Sequence, residues 1–154
     1  MNFHLGFAKT FQYQHLKGEH KVAENACYTY FKITGEFDPD VMTKKLGLCP
    51  SKTWKIGDER TNGTLYDFAL WEFGRCDNYD VMVANQMHTT IAPLLDKIDV
   101  LNEIKTEFDV YYTLEVVPSV YADNSTPCLA PSLEVIDFCH ATRTVIDIDL
   151  YVMD

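Results

Sequence analysis

The chain is patterned in short alternating runs separated by one long helical run. From Tyr28 to Ile33, residues 28, 30 and 32 alternate with residues 29, 31 and 33, giving one apolar and one mixed face, as a half-buried strand requires. Gly35 ends that run. Asp38 is placed to accept from the first free amides of a helix, and Pro39 follows at the first helical position, where its missing N–H costs nothing. Phe37 is spaced to pack on Met42, Lys44 and Lys45 suit the last turn, and Gly47 supplies the left-handed stop with Leu48 folding back.

Further along, Pro50–Gly63 is polar, and Asn62-Gly63 favours a tight hairpin turn. A short strand is expected near Thr53–Ile56 and a longer one over Leu65–Phe73. The longest helical pattern starts near Asn78: Val81, Ala84, Met87 or His88, Ile91, Leu94, Leu95, Ile98 and Leu101 recur every three or four residues. Pro93 must kink or split it, leaving a helix to about Lys97 and one or two more turns up to Phe108. Val110–Val117 reads as a strand and the proline-containing stretch Pro118–Pro131 as a loop. Ser132 caps a helix through about Ala141, with Leu133, Ile136 and Cys139 or His140 inward. The last strand, Thr144–Met153, puts Ile146, Ile148, Leu150 and Val152 on its core face. At the front, Phe3, Leu5, Phe7, Phe11 and Tyr13 are spaced for an added edge strand within residues 1–25, with a tail as the alternative.

The order β-α-β-β-α-β-α-β predicts one α+β domain over residues 26–154. Its expected form is a mainly antiparallel sheet with helices on one face, with a ferredoxin-like β-α-β arrangement as a variant. The run FKITGEFDPDVMTKKLGLCPS, Gly57-Asp58 and the ending PSLEVIDFCHATRTVIDIDLYV resemble the bacterial family known as domain of unknown function 4279, across roughly Cys27–Val152. That resemblance implies one compact α+β domain in a bacterial or phage cytoplasm. It implies no activity, and no functional residue carries over from it.

Composition narrows the function classes. At 154 residues with 47% hydrophobic content, the chain can bury a core without metal or disulfide staples. Five scattered cysteines with no C-x-x-C pair indicate neither a zinc site nor a disulfide framework, and a reducing cytoplasm follows. Net charge is −10, and Asp99–Asp154 holds eleven acidic residues against Lys105 and Arg143. Such a balance opposes nucleic-acid and anionic-membrane binding and suits a basic protein partner.

Candidate chemistry is sparse. No phosphate loop, dinucleotide fingerprint or G-x-S-x-G elbow occurs, so no cofactor is expected. Asp147 and Asp149 stand two apart on a strand, about 7 Å, and could meet a cation or a basic partner; a solvated outer face is the plainer reading. A metal would want at least one more oxygen ligand, and no third acidic residue is local. Cys139 at an inward helical position behaves as a small apolar residue, although pairing with His88 stays open because spacing does not reveal spatial neighbours. His140 can approach Asp137 on the same helix.

Trp54, Asp58, Arg60 and Trp71 are the best binding candidates, since Trp and Arg are enriched at interface hot spots. For Trp71 core burial is the stronger alternative. The leading expectation is a non-enzymatic inhibitor of a basic toxin or nuclease, engaging through Asp147, Asp149, Glu134, Asp137 and Trp54. The next is a small-molecule module with a cleft near Trp54, Tyr66 and Tyr112. The third is an enzyme using Cys139 or a histidine.

Overall fold

The computed structural model describes residues 23–154, and the strand expected within residues 1–25 lies almost wholly outside them. The first strand, β1 (Ala26–Gly35), is the centre of the sheet. Along it Cys27, Thr29, Phe31 and Ile33 are buried while Tyr28, Tyr30, Lys32 and Thr34 are half-buried, so its alternation holds over nearly the whole strand. Helix α1 (Pro39–Leu46) forms as its caps dictate. The Asp38 carboxylate accepts from the Asp40 amide at 3.0 Å, Pro39 opens the helix, and Gly47 at φ 66° donates its N–H to the Thr43 carbonyl.

The chain then crosses to the short strand β2 (Lys52–Trp54), returns through β3 (Ala69–Cys76), and passes back by α2 (Val83–Ile91), a 3-10 turn (Ala92–Lys97) and α3 (Ile98–Glu107) to β4 (Val110–Tyr121). Pro93 sits in the first turn of the 3-10 piece and splits the long helical pattern there. Strands β2, β3, β1 and β4 lie in that order, each antiparallel to its neighbour. This is the ferredoxin-like β-α-β-β-α-β arrangement. Helix α4 (Leu133–Thr142) then adds strand β5 (Thr144–Ile148), parallel to β4, and β6 (Tyr151–Met153) continues along β4. The result is an α+β fold with a mostly antiparallel six-stranded sheet.

All four described α-helices pack on the same face, which four contacts establish. On that face Trp71 donates to Thr43 of α1 at 3.0 Å, Thr29 bonds Thr90 of α2 at 2.7 Å, and Tyr112 donates to the Leu101 carbonyl of α3 at 2.8 Å. Phe31 meets Phe138 of α4 edge-on at 6.2 Å. Trp71, Phe31, Tyr112, Phe138, Leu101 and Ile104 are among the fully buried side chains.

A bulge sits inside that core. Thr29 is opposite Cys76 and Phe31 opposite Phe73, so Gly74 and Arg75 together face Tyr30. Helix α2 satisfies the displaced backbone: Thr90 Oγ donates to the Gly74 carbonyl at 2.9 Å, and Gln86 Nε2 donates to the carbonyls of Cys27 and Cys76 at 2.9 and 3.4 Å. Gly74 adopts φ 69°, and a Cβ there would stand 2.8 Å from the Thr90 carbonyl oxygen.

Four expectations are corrected. The long helix starts at Val83, not Asn78, because the Asp80 carboxylate takes the Met82 backbone amide at 2.8 Å and the Asn85 side-chain amide at 2.7 Å while Met82 bridges to Cys128, keeping Asp80–Met82 out of the helix. Strand β3 starts at Ala69, because residues 55–68 form their own loop, closed by a three-residue turn in which Arg60 N–H meets the Thr64 carbonyl. The inward stripe of α4 is Val135, Phe138, Cys139 and Thr142; Leu133 is 78% exposed and His140 is exposed. The last strand breaks at Asp149–Leu150, and Ile148, Leu150 and Val152 are exposed at the sheet margin.

Candidate functional site

With every helix on one side, the opposite face of the sheet is uncovered among the described residues. Alternation places Tyr28, Tyr30, Lys32 and Thr34 of β1 on it, with Tyr111, Thr113 and Glu115 of β4, Leu70 and Glu72 of β3, and Lys52 and Trp54 of β2. Two adjoining clefts cut this face, of about 440 and 180 Å³. They share Lys32, Thr34 and Phe68; the larger opens toward Tyr111 and the smaller toward Trp54.

Charge on this face is held in one ion pair and one hydrogen-bonded carboxylate. Lys32 forms an ion pair with Glu115, whose side chain is only 7% exposed. Glu72 lies in register between Lys52 and Lys32 and accepts from the Ser51 hydroxyl at 3.1 Å. Burial, with help from Glu115 and Glu72, pushes the Tyr30 phenol up to about 12, so it remains a neutral hydrogen-bond donor. Tyr30 stacks beside Tyr28 with ring centres 6.1 Å apart, and the Arg75 guanidinium lies 3.9 Å over the Tyr28 ring.

The β2 end of this face is built by the loop 55–68. Trp54 stacks on Tyr66 at 4.1 Å and donates its indole N–H to the Phe68 carbonyl at 3.0 Å. The Arg60 guanidinium also lies over the Tyr66 ring, 4.6 Å from its centre, so both Trp54 and Arg60 pack on that ring. Asp58 holds the loop together by accepting the Lys55 amide at 2.7 Å, and its backbone bonds Tyr66. So Trp54, Asp58 and Arg60 do converge, with Asp58 acting on the loop backbone and Arg60 on an aromatic ring. Trp71 is fully buried under α1 and takes no part.

The acidic candidates do not form one patch. Asp147 pairs in register with Glu115, on the uncovered face. Asp149 stands in the kink between β5 and β6, where it accepts from the Tyr151 hydroxyl at 2.8 Å. Glu134 and Asp137 are exposed on α4, behind the sheet, and Glu134 pairs with His88 at 3.0 Å. Among the described residues, no three His, Cys, Asp or Glu side chains converge as a metal site.

Tyr112, expected in an aromatic cleft, instead points into the helix layer. One residue along the strand, Tyr111 is 67% exposed and borders the larger cleft. Sequence reasoning missed Tyr111, Lys32 and Tyr30 as site residues, although the alternation of β1 and β4 carried the signal. Cys139 is buried, and burial raises its thiol to about 11, which opposes thiolate chemistry. The thiol makes no hydrogen bond among the described residues, and His88 is engaged elsewhere on the surface.

No described helix is long and apolar enough to cross a membrane. The family profile of DUF4279, a domain of unknown function, matches residues 25–153, and the chain belongs to that family. Comparison with curated proteins and with solved structures gave no match.

Proposed function

We propose that this DUF4279 protein is a non-enzymatic interaction module that receives a basic protein on the uncovered face of its sheet, as an inhibitor of a toxin or nuclease would. The observation that carries this reading is the one-sided packing. Four described helices cover one face, while the other presents Trp54, Tyr30 and Tyr111 around the Lys32–Glu115 ion pair. Aromatic anchors held by stacking lose little entropy on binding, which suits a docking surface. The acidic bias of the chain, −10 overall, favours a basic partner through long-range steering.

The test is affinity capture from host lysate at low and moderate salt, comparing three proteins by mass spectrometry. Wild type should retain a stoichiometric basic protein that is lost as salt rises. Trp54→Ala with Tyr111→Ala should lose it, as should Asp147→Lys with Asp149→Lys. Glu134→Lys with Asp137→Lys, on the helix side, should keep it. Loss confined to the helix-side variant, or no captured protein at all, would sink the proposal.

A second reading rests on the two adjoining clefts. Their aromatic walls and the neutral Tyr30 donor fit a small planar ligand stacked near Trp54. Quenching of Trp54 fluorescence by a metabolite panel, abolished by Tyr30→Phe, would favour it over a protein partner.

A further inference from the structure

The margin of the sheet formed by β5 and β6 differs from every other part of the described surface. Val145, Ile148, Leu150, Tyr151, Val152 and Met153 are all large, apolar or aromatic, and exposed, between 39 and 69%. Nine consecutive residues thus hold six of the fourteen such side chains on the described surface. No described strand lies beyond β5. The Asp149 amide donates to the Val116 carbonyl, and the parallel ladder alternates, so Asp147 and Asp149 bond inward while Ile146 and Ile148 turn their N–H and C=O groups outward.

An exposed edge of this kind is a template for another strand, and proteins ordinarily blunt it with lysine, proline or a very short strand. The opposite edge is blunted in that way: β2 begins with Lys52 and is sealed by the 55–68 loop. From Thr144 to Asp154 there is no lysine, arginine or proline, and the charges are Asp147, Asp149 and Asp154. Those carboxylates decide the occupant. A second copy pairing edge to edge would set its three carboxylates against these three and be repelled. A basic strand would be attracted.

We propose that the β5–β6 edge binds an extended segment of a partner protein, alternating apolar and basic residues, as an added strand. Ile146 and Ile148 supply the backbone bonds and, with Val152, the apolar contacts on the helix side, while Asp147 and Asp149 select Lys or Arg on the other side of the added strand. This rests on the reading of the chain as an interaction module but uses a different surface, the sheet edge in place of the sheet face.

The probe is an end-capped octapeptide alternating valine and lysine, titrated into full-length protein by fluorescence anisotropy, with a valine–glutamate peptide as control. The lysine peptide should bind and the glutamate peptide should not. Hydrogen exchange at the amides of Ile146 and Ile148 should slow at least tenfold at saturating peptide. Ile148→Pro removes one outward N–H at an edge position that tolerates proline, so circular dichroism should be unchanged while affinity falls tenfold or more. Asp147→Lys should weaken binding and flatten its salt dependence.

Absent binding, equal binding of both peptides, or affinity unmoved by Ile148→Pro would overturn the proposal. So would amides of Ile146 and Ile148 that are already protected in the free monomer, since the chain itself would then occupy the edge. Protection that grows with protein concentration together with a dimer mass would assign the edge to a second copy. A captured protein lost with Trp54→Ala but kept with Ile148→Pro would preserve the face reading and overturn this one.

Discussion

The two faces of this sheet are built from the same strands and use similar residue types, yet they are engaged very differently. Trp71, Phe31 and Tyr112 lie on the helix side, each fully buried and each fixed by a partner on another element. Trp54, Tyr30 and Tyr111 lie on the other side, and there the rings meet only neighbours in the sheet or in its adjoining loop, with Tyr111 mostly in water. Apolar area removed from water is what stabilises a fold, at about 25 cal/mol per Å². The helix-side aromatics therefore carry the fold, and the uncovered ones remain free to lose their solvent to something else. Position on the pleat, and not residue type, separates structural from candidate functional aromatics here.

The sharpest way to break that comparison is Trp71→Ala. It empties a site with no solvent exposure beneath α1 and leaves Thr43 without its donor, so a loss of about 3–5 kcal/mol is expected. Chemical denaturation should show the midpoint falling at unchanged slope. A loss below about 1 kcal/mol would mean that the helix layer is not the seat of stability.

Next in size is Gln86→Leu. The side chain is of similar volume, but the change abandons the Cys27 and Cys76 carbonyls and the Asp80 amide around the bulge. Buried groups left without partners cost about 1–3 kcal/mol. The bulge also aims Arg75 at Tyr28 on the uncovered face, so this variant should weaken any binding there as well as the fold. A stable Gln86→Leu protein would show that the bulge tolerates its freed carbonyls.

How much of this was legible beforehand follows from the range of each interaction. The α1 unit was read correctly from Asp38, Pro39 and Gly47, because capping is settled within one turn of helix. Ser132 was read for the same reason, its hydroxyl accepting from the Val135 amide. Pro93 marked the helix break because its missing N–H acts locally. The inward face of α4 was not read: Leu133 and Ile136 are as apolar as Val135 and Phe138, and only packing on α2 and the sheet selects between them. The candidate face was half-visible. Trp54 and Arg60 stood out by residue type, whereas choosing Tyr111 over Tyr112 required knowing which side the helices take. The dispersal of Glu134, Asp137, Asp147 and Asp149 over two sides is likewise a fact of tertiary placement, which charge counting does not contain.

Alkaline titration gives a smaller and graded effect. Burial raises the thiols of Cys27 and Cys139 from 9.0 to about 11, and the Tyr30 phenol from 10.0 to about 12. Each folded value lies above its unfolded one, so the unfolded chain releases protons first. Stability from these groups is complete below pH 9 and is lost progressively as pH rises to about 11 for the thiols and 12 for the phenol. Thermal melts from pH 8 to 11 should show a steady decline. At pH 8 a thiol reagent should label the exposed Cys49 and Cys128 quickly and Cys27, Cys76 and Cys139 only on unfolding. Rapid labelling of Cys139 would contradict its buried placement and reopen a thiol mechanism.

The smallest effect on stability is expected from the residue that bears most on function. Tyr111→Ala removes a ring that is 67% exposed and has no hydrogen-bond partner among the described residues, so denaturation should shift by no more than about 0.5 kcal/mol. Tyr112→Ala, one residue away, should cost several times more, because that ring is buried and its hydroxyl bonds the Leu101 carbonyl. Measured side by side, these two variants divide the sheet into its two faces. If Tyr111→Ala were as destabilising as Tyr112→Ala, something in the full-length protein would already cover the face described as open, and the proposed docking surface would be internal. A neutral Tyr111→Ala that abolishes capture of a basic partner would instead separate binding from folding within two adjacent residues, which is the behaviour required of an interaction face.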